Sequence, residues 1–307
     1  MRLLRCFFRA FLLVCLALPL ISCHFAILDP KGVIAETEKH VFLESVFLML
    51  IVVIPVIILS FIVPWRYRAK NTKAVYKPEW SNSHLLEFIW WAIPCVIIAV
   101  LATITWIETH RLDPYRPLYN NPAPDAAVIP IEAIALNWKW LFIYPQEHVA
   151  SLNTLTIPVN HPIRFYITSD GPMNSLEIPQ LAGQIYAMGG MQTKLNLLAT
   201  EQGIYRGLST NLSGDGFSGM YFNVNVVSDK DYAQWVRALK QAPKHLSEKT
   251  YQALLVPSAN NPPEYFSQVS DDFFSEMVIK YMGPMPGMVL GYRGDPNFTS
   301  SSKNTGN

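Results

Sequence analysis

A segment rich in glycine and serine, Gly203 to Met220, carries side chains that could meet around a metal ion. Its candidate donors are the hydroxyls of Ser209 and Ser213, the amide of Asn211 and the thioether of Met220. Electron-transfer copper sites need thiolate sulfur and imidazole nitrogen. A serine hydroxyl does not ionise at neutral pH, an amide oxygen is a poor copper donor, and one thioether cannot hold the ion alone. These residue types predict no metal in this segment.

The cysteines lead to the same prediction for the whole C-terminal part of the chain. The four cysteines are Cys6, Cys15, Cys23 and Cys95, and none follows residue 95. The remaining two thirds of the sequence therefore has neither a disulfide nor a thiolate metal site. We expect no cofactor in this chain and no catalytic residue.

The first 22 residues have the layout of a secretory signal peptide. Three arginines precede or flank an apolar run at residues 11–21, and the run ends in Leu20-Ile21-Ser22-Cys23. That ending has the form of a bacterial lipobox, so cleavage would expose Cys23 for lipid attachment. An ordinary leader or a first transmembrane helix is the alternative, but about 11 apolar residues are short for a span, which needs about 20.

Two longer apolar segments, 41–63 and 85–107, are each long enough to cross a bilayer as a helix. The loop between them, 64–84, carries five Lys or Arg residues between positions 65 and 77. Short, strongly positive loops lie on the cytoplasmic side of membranes. The segment 23–40 and everything after the second span are therefore predicted to lie outside the cytoplasm.

Two carboxylates lie near the predicted membrane. Glu44, in the first turns of the first span, is interpreted as a solvated interfacial group. Glu87 opens the second span in the segment His84 to Pro94. A carboxylate at a membrane entrance can collect protons for a buried relay. Alternatively, it is an acid favoured by the positive end of the helix dipole.

The remainder is predicted to form one domain with a strand-rich part and a helical part. A connector at 108–127, rich in Pro, Asn and Asp, precedes short strand-like runs at 128–228, whose spacing predicts a β-sandwich. Residues 229–282 read as an aromatic-rich helical extension, with a capping box at 228–231 before a helical run at 232–240 and further helices near 247–256 and 271–282. From residue 283 to 307, Gly, Pro, Ser and Asn dominate and predict disorder.

The overall composition agrees with a membrane-anchored protein. Hydrophobic residues make up 50% of the 307 residues, charged residues 15%, and the mean hydropathy is +0.19. This is too apolar for a soluble protein and too mild for a transporter with many spans. A net charge of +1 and the lack of a basic stripe with interleaved aromatics argue against nucleic-acid binding.

The order of these features resembles the haem-copper oxidase subunit II family, in its quinol-oxidising branch, over nearly the whole chain. In relatives that bind copper, the loop reads Cys-x-Glu-x-Cys-Gly-x-x-His-x-x-Met, with a second His upstream in Ser-x-Asp-Val-x-His-Ser-Trp. The family's ligand positions correspond here to Asn174, Ser209, Asn211, Ser213, Phe217 and Met220, of which Met220 alone keeps the family's residue. The resemblance thus implies a binuclear copper site from which the ligands have been lost.

The resemblance also implies a fold. It is a membrane-anchored α+β protein, with a two-helix transmembrane hairpin followed by an extracytoplasmic cupredoxin-like β-sandwich and a short helical C-terminal extension. It places the chain in the bacterial inner membrane, multi-pass, with the large domain in the periplasm. A matching Leu-Glu-x-x-Trp-x-x-x-Pro segment makes Glu87 the entrance of the family's K proton pathway.

The function implied is that of a structural and assembly subunit of a proton-pumping terminal ubiquinol oxidase, which oxidises ubiquinol and reduces oxygen to water. Haems and copper are then expected in the partner subunit I, with small membrane subunits and membrane lipid as further partners. Two alternatives remain open at this point. One is a stand-alone membrane lipoprotein that binds a ligand or scaffolds other proteins, and the other is a copper-containing cytochrome c oxidase subunit II.

Overall fold

The computed structural model describes residues 25–72, 74–75, 79, 81–118, 128–283 and 290–293. The predicted lipidation site Cys23 lies outside these residues, as does most of the tail predicted to be disordered. The chain divides into two units, one of residues 36–116 and the other of residues up to 35 together with those from 117 onward. Each is described by itself.

Two long helices account for most of the first unit. They are α1 (Val33–Arg66) and α2 (His84–Arg111). Both are long and apolar enough to cross a membrane, and their most apolar stretches are not buried inside the protein. Helix α1 starts eight residues before the apolar run 41–63, and residues 36–40 make a polar stretch in its first turns. The prediction of two apolar helices is confirmed.

Two β-sheets form the second unit. The first, in spatial order, consists of β11 (Glu264–Ser267), β3 (Val149–Leu152), β2 (Lys139–Tyr144), β1 (Ile129–Leu136), β5 (Pro162–Ser169) and β8 (Thr193–Leu198). The second consists of β4 (Thr154–Pro158), β10 (Tyr221–Val227), β9 (Gly203–Ser209), β6 (Asn174–Ile178) and β7 (Ala182–Ala187). Neighbouring strands are antiparallel except for the parallel pairs β1–β5 and β4–β10.

The two sheets pack face to face around one apolar core. Strand β10 shows the pattern, because Phe222, Val224 and Val226 are buried in that core while alternate residues lie outward. Strand β1 is buried on both faces: Ala133 belongs to the core between the sheets, and Ile134 belongs to a second core on the far side of the first sheet. The predicted β-sandwich is confirmed.

The second core is closed by the C-terminal extension. Its helices are α3 (Asp229–Lys240), α4 (Glu248–Leu255) and α5 (Phe273–Met282). The hydroxyls of Ser228 and Ser247 accept backbone N–H groups at the starts of α3 and α4. The predicted helical ending is therefore confirmed, but the extension also supplies strand β11, which pairs with β3. Strand β11 lies in the part predicted to be helical, and the strand-like runs of the sequence did not include β6, β7 or most of β3.

The segment before α1 is attached to the sandwich. The backbone N–H of Lys31 donates to the Gln180 carbonyl at 2.7 Å, and the N–H of Thr200 donates to the Lys31 carbonyl at 2.9 Å. A side chain at Gly32 would lie 2.4 Å from the Leu181 carbonyl oxygen, so only glycine permits this approach. The polypeptide that enters α1 is therefore fixed to the sandwich before the helix begins.

Candidate functional site

The loop that follows β9 (residues 209–220, the ligand-position loop) lies beside the first residue of β6. Strands β6 and β9 are antiparallel neighbours, with Leu176 opposite Ser209. This register brings Asn174 and Ser209 together, and the Ser209 hydroxyl donates to Asn174 Oδ1 at 2.7 Å. Both residues are buried. Two of the predicted ligand positions thus form a neutral hydrogen-bonded pair.

Further hydrogen bonds fix this pair in place. The amide Nδ2 of Asn174 donates to the Pro172 carbonyl, and Nδ2 of Asn211 donates to the Met173 carbonyl, each at 2.9 Å. The N–H of Ser209 donates to the Met220 carbonyl at 3.1 Å. The two ends of the loop are therefore tied to each other and to the segment before β6 without a metal ion.

The other ligand positions have separate surroundings. Met220 is buried, and its side chain belongs to the core between the sheets. Phe217 begins a single turn of 3-10 helix that ends at Gly219. The Ser213 carbonyl accepts the indole N–H of Trp138 at 3.1 Å, so this part of the loop is held by an aromatic side chain.

Trp138 occupies a tight hairpin turn between β1 and β2, where Leu136 pairs with Lys139. Its φ of 62° is unusual for a bulky residue and identifies a strained position. The indole lies against Gly216, where a Cβ atom would come within 2.3 Å of the ring. The spacing of Trp138 and Trp140 in the sequence Asn137-Trp-Lys-Trp predicts that both are alternating residues of one strand. Trp140 is indeed buried in a strand, whereas Trp138 closes the turn and packs on the ligand-position loop.

The chemistry of these donors does not fit copper. The pair that meets offers a hydroxyl and an amide, and the hydroxyl hydrogen is already donated to the amide oxygen. Neither group supplies the thiolate or imidazole on which copper electron-transfer sites depend. Among the described residues, no group of three or more His, Cys, Asp or Glu side chains could hold a metal ion. The arrangement serves packing and hydrogen bonding.

Four residues before Asn174, a buried carboxylate gathers donors from the C-terminal extension. Asp170 accepts hydrogen bonds from the hydroxyls of Tyr251 and Tyr281, each at 2.6 Å, and from the Lys280 ammonium at 2.9 Å. Its own backbone N–H donates to the Ala135 carbonyl. Helices α4 and α5 are thereby joined to the end of β5. Sequence reasoning missed this cluster.

The donors also set the charge state of Asp170. Burial alone would raise the pKa of this carboxyl, but the hydrogen bonds from Tyr251, Tyr281 and Lys280 outweigh it and hold the pKa below its usual value. Conversely, burial and the bonded carboxylate raise the pKa of Tyr281 to about 12. The cluster therefore carries an ionised aspartate and protonated tyrosines at neutral pH.

A second buried carboxylate lies under the described part of the tail. Glu132, on β1, is 4% exposed, and its side chain accepts the backbone N–H of Tyr292 at 3.4 Å. Burial raises its pKa to about 7, although the Tyr292 N–H lowers it in part. The tail residues 290–293 are also held by an ion pair of 2.6 Å between Arg293 and Asp271.

Glu87 lies in the first turn of α2. The Ser83 hydroxyl caps the helix by accepting the Leu86 N–H, and the Glu87 carboxylate lies 3.6 Å from His84 Nδ1. Its side chain is 55% exposed. The position at the helix N-terminus fits both of the roles that the sequence left open. The proposed role as a proton entrance stays a prediction.

Two family models match the chain. Residues 146–227 match the cytochrome c oxidase subunit II periplasmic domain, and residues 240–285 match the cytochrome oxidase aromatic-rich motif. The first match covers most of the sandwich from the end of β2 to β10. The second covers the extension from the end of α3 through α5.

Complete relatives extend the similarity through the helices. The chain is 48% identical to the cytochrome bo(3) ubiquinol oxidase subunit 2 of Pseudomonas aeruginosa over 265 residues, 86% of this chain and 79% of that one. The chain belongs to the ubiquinol oxidase subunit 2 family. It is also 46% identical to the ubiquinol oxidase subunit 2 of Acetobacter aceti, over 89% of this chain and 87% of the relative. The chain is 41% identical to the cytochrome bo(3) ubiquinol oxidase subunit 2 of Buchnera aphidicola subsp. Schizaphis graminum, over 89% of this chain and 93% of the relative.

Membership of the ubiquinol oxidase subunit 2 family identifies the fold of the sandwich and shows which family segments the Asp170 cluster connects. The sandwich is the family's cupredoxin-like periplasmic domain. Asp170 lies within the segment that matches this domain, while Tyr251, Lys280 and Tyr281 lie within the aromatic-rich motif. One carboxylate thus joins the two matched segments.

Proposed function

We propose that this chain is the subunit II of a proton-pumping terminal ubiquinol oxidase of the aerobic respiratory chain. It is a component of an oxidoreductase complex and has a structural and assembly role without a redox centre of its own. Its curated relatives are ubiquinol oxidase subunits 2. The observation that carries the structural role is the hydrogen bond between Ser209 and Asn174, which fills two of the family's copper-ligand positions with a neutral pair.

The absence of thiolate and imidazole donors from this loop is consistent with the electron donor. Soluble cytochrome c needs an entry site outside the membrane, where a copper centre can receive its electron. A lipid-soluble quinol can reach a membrane-embedded partner directly. We therefore assign the haems, the oxygen-reducing copper and the quinol site to the partner subunit I, with small membrane subunits completing the complex.

The proposed location is the bacterial inner membrane, crossed twice by α1 and α2. The positive loop 64–84 would face the cytoplasm, and the sandwich with its extension would face the periplasm. Lipid attached to Cys23 would add a further tether eight residues along the chain before Lys31, whose backbone binds the sandwich. Helix α1, helix α2 and the lipid would then each connect the domain to the membrane.

The first test is purification of the native complex through a tag on this chain. We expect haem proteins to co-purify and to show absorption changes on reduction with ubiquinol. We also expect a copper content explained by the partner subunit alone. A haem-free chain would contradict the proposal and favour the stand-alone lipoprotein. Tightly bound copper in this subunit would favour the cytochrome c oxidase alternative.

The second test concerns Glu87. If it collects protons at the cytoplasmic face, Glu87→Gln should lower oxygen consumption of the assembled complex several-fold, because an amide cannot carry a proton. The matched control is Glu44→Gln, which removes an exposed acid from α1 and should leave turnover unchanged. Equal turnover of Glu87→Gln and wild type would leave Glu87 only the role of an acid favoured by the helix dipole.

A further inference from the structure

A cavity of about 700 Å³ lies between helix α4 of the extension and the paired strands β3 and β11. Its floor is apolar and includes Leu152, Leu254 and Phe266. Four basic side chains line it: Lys139, Lys244, His245 and Lys249. A volume of this size is typical of small-molecule sites, which lie in the range of roughly 300–1,000 Å³.

Lys139 is the unusual member of this set. It is the first residue of β2, and its side chain leaves the sheet on the side opposite to Trp140, toward the extension. It is 3% exposed, and its ammonium donates to the Val256 carbonyl at 2.8 Å and to the Ser258 hydroxyl at 2.6 Å. Both acceptors are neutral. The third N–H of the ammonium has no acceptor among the described residues.

A buried ammonium whose hydrogen-bond acceptors are all neutral is costly, and burial lowers the pKa of Lys139, although the charge of Glu264 raises it in part. The one carboxylate that lines the cavity, Glu264, is already paired with Lys244. Lys249 is exposed and has no carboxylate partner within the described part of the chain. The cavity therefore carries more positive than negative charge, and its most buried cation, Lys139, forms no direct ion pair among the described residues.

The polar lining adds hydroxyl groups rather than acids. Ser247 and Thr250, at the start of α4, and Ser258 all border the cavity. Hydroxyls and ammonium groups together are donors suited to an oxyanion with several acceptor oxygens. A cation or a neutral apolar ligand would supply no negative charge to the Lys139 ammonium, whereas an anion would.

We propose that this cavity binds a phosphate group, either as a free anion or as the headgroup of an anionic lipid. One phosphate oxygen would accept the remaining N–H of Lys139, and Lys249 would supply a second positive charge. The apolar floor would accommodate the glycerol or acyl part of a lipid. The site goes beyond the role of the chain as an oxidase subunit, because it needs neither quinol nor oxygen.

The test is calorimetric titration of the detergent-purified complex, with inorganic phosphate in one arm and dihexanoyl phosphatidylglycerol below its micelle concentration in the other. We expect at least one ligand to bind stoichiometrically to wild type. Lys139→Met keeps the length and packing of the stem but removes the charge, and should weaken binding at least about tenfold, the equivalent of about 1.4 kcal/mol. Lys249→Gln should weaken it about threefold.

The control is Lys230→Gln, which removes an exposed lysine from α3 and should leave both affinities unchanged. Tighter binding of the lipid than of phosphate identifies a lipid site, and the reverse identifies a site for the free anion. If Lys139→Met does not fold, the affinities of Lys249→Gln still test the proposal, since this change alters only an exposed side chain. Absence of binding in both arms, or affinities that do not change in Lys249→Gln, would overturn the proposal.

Discussion

Two buried polar sites lie four residues apart in this protein and differ in their energetic roles. At Asn174, a neutral amide accepts one hydroxyl from the loop beside it. At Asp170, an ionised carboxylate accepts two tyrosine hydroxyls and an ammonium from helices α4 and α5. Hydrogen bonds to charged groups contribute more than neutral ones, and removing one partner of a buried charge is the more damaging change. Replacement of Ser209 or Asn174 is therefore expected to cost less stability than replacement of Asp170, which joins the extension to the sandwich.

The most direct test of the contrast between the two sites is to introduce the family's copper ligands at and around Asn174 and Ser209. The changes are Asn174→His, Ser209→Cys, Asn211→Glu, Ser213→Cys and Phe217→His. Because Asn174 and Ser209 are already within hydrogen-bond distance, we expect the variant complex to bind additional copper with new thiolate-to-copper absorption. Metal analysis and visible spectra would check this.

The control for the copper graft is the same variant with Ser209 retained, which should bind no additional copper. A complete variant that assembles with normal haem content but takes up no copper would show that the loop correspondence is wrong.

The largest loss of stability is expected for Asp170→Ala. The buried Tyr251 hydroxyl would lose its acceptor, and the exposed Lys280 and Tyr281 would lose their hydrogen bonds to a charged group, at a cost of roughly 2–4 kcal/mol in the free energy of unfolding. Thermal melting of the purified complex and proteolysis of the extension would measure it. Since the pKa of Asp170 is lowered, its contribution disappears only as the pH falls through that lowered value, and the loss should be constant between pH 6 and 8. Asp229→Ala, which removes an exposed acid paired with His161, should cost less than about 0.5 kcal/mol.

Glu132→Gln should increase the free energy of unfolding, and the increase should be largest at pH values above the folded pKa of Glu132. The folded pKa of about 7 lies above the unfolded value, so the folded state binds the extra proton, and stability falls as the pH rises between these values. At pH 8 the amide should be more stable than wild type by roughly 3 kcal/mol, and at pH 5 by less than about 1 kcal/mol. Melting curves at the two pH values measure the difference. The exposed Glu276 offers the control, since Glu276→Gln should show no such pH dependence.

The smallest effect is expected for Ser209→Ala. It removes one neutral hydrogen bond and leaves the Asn174 oxygen without its donor, which costs about 1–2 kcal/mol. Ser218→Ala, at an exposed position in the same loop, is the control and should be nearly neutral. A loss in Ser209→Ala as large as that in Asp170→Ala would contradict the contrast between the two sites.

The sequence predicted the elements whose signals are local. The three helices predicted in the extension agree with α3, α4 and α5 within about three residues, because apolar spacing and the caps at Ser228 and Ser247 lie within the helices or directly beside them. Strand β11 was missed because Glu264–Ser267 is short and becomes a strand by pairing with β3. Trp138 was misplaced for a related reason, since its turn conformation depends on the space left by Gly216.

Residue identity alone determined two facts about this protein. Continuous apolar runs make α1 and α2 because each helix satisfies its own backbone hydrogen bonds, and the hydroxyls of Ser209 and Ser213 cannot supply thiolate sulfur wherever they lie. Only the tertiary structure decided which polar groups meet. Asp170 lies 81 residues from Tyr251 and 110 from Lys280, and no local pattern records such a pairing. Hydrogen bonds and burial depend on distance in space, which the chain sets only once the sheet and the extension have packed together.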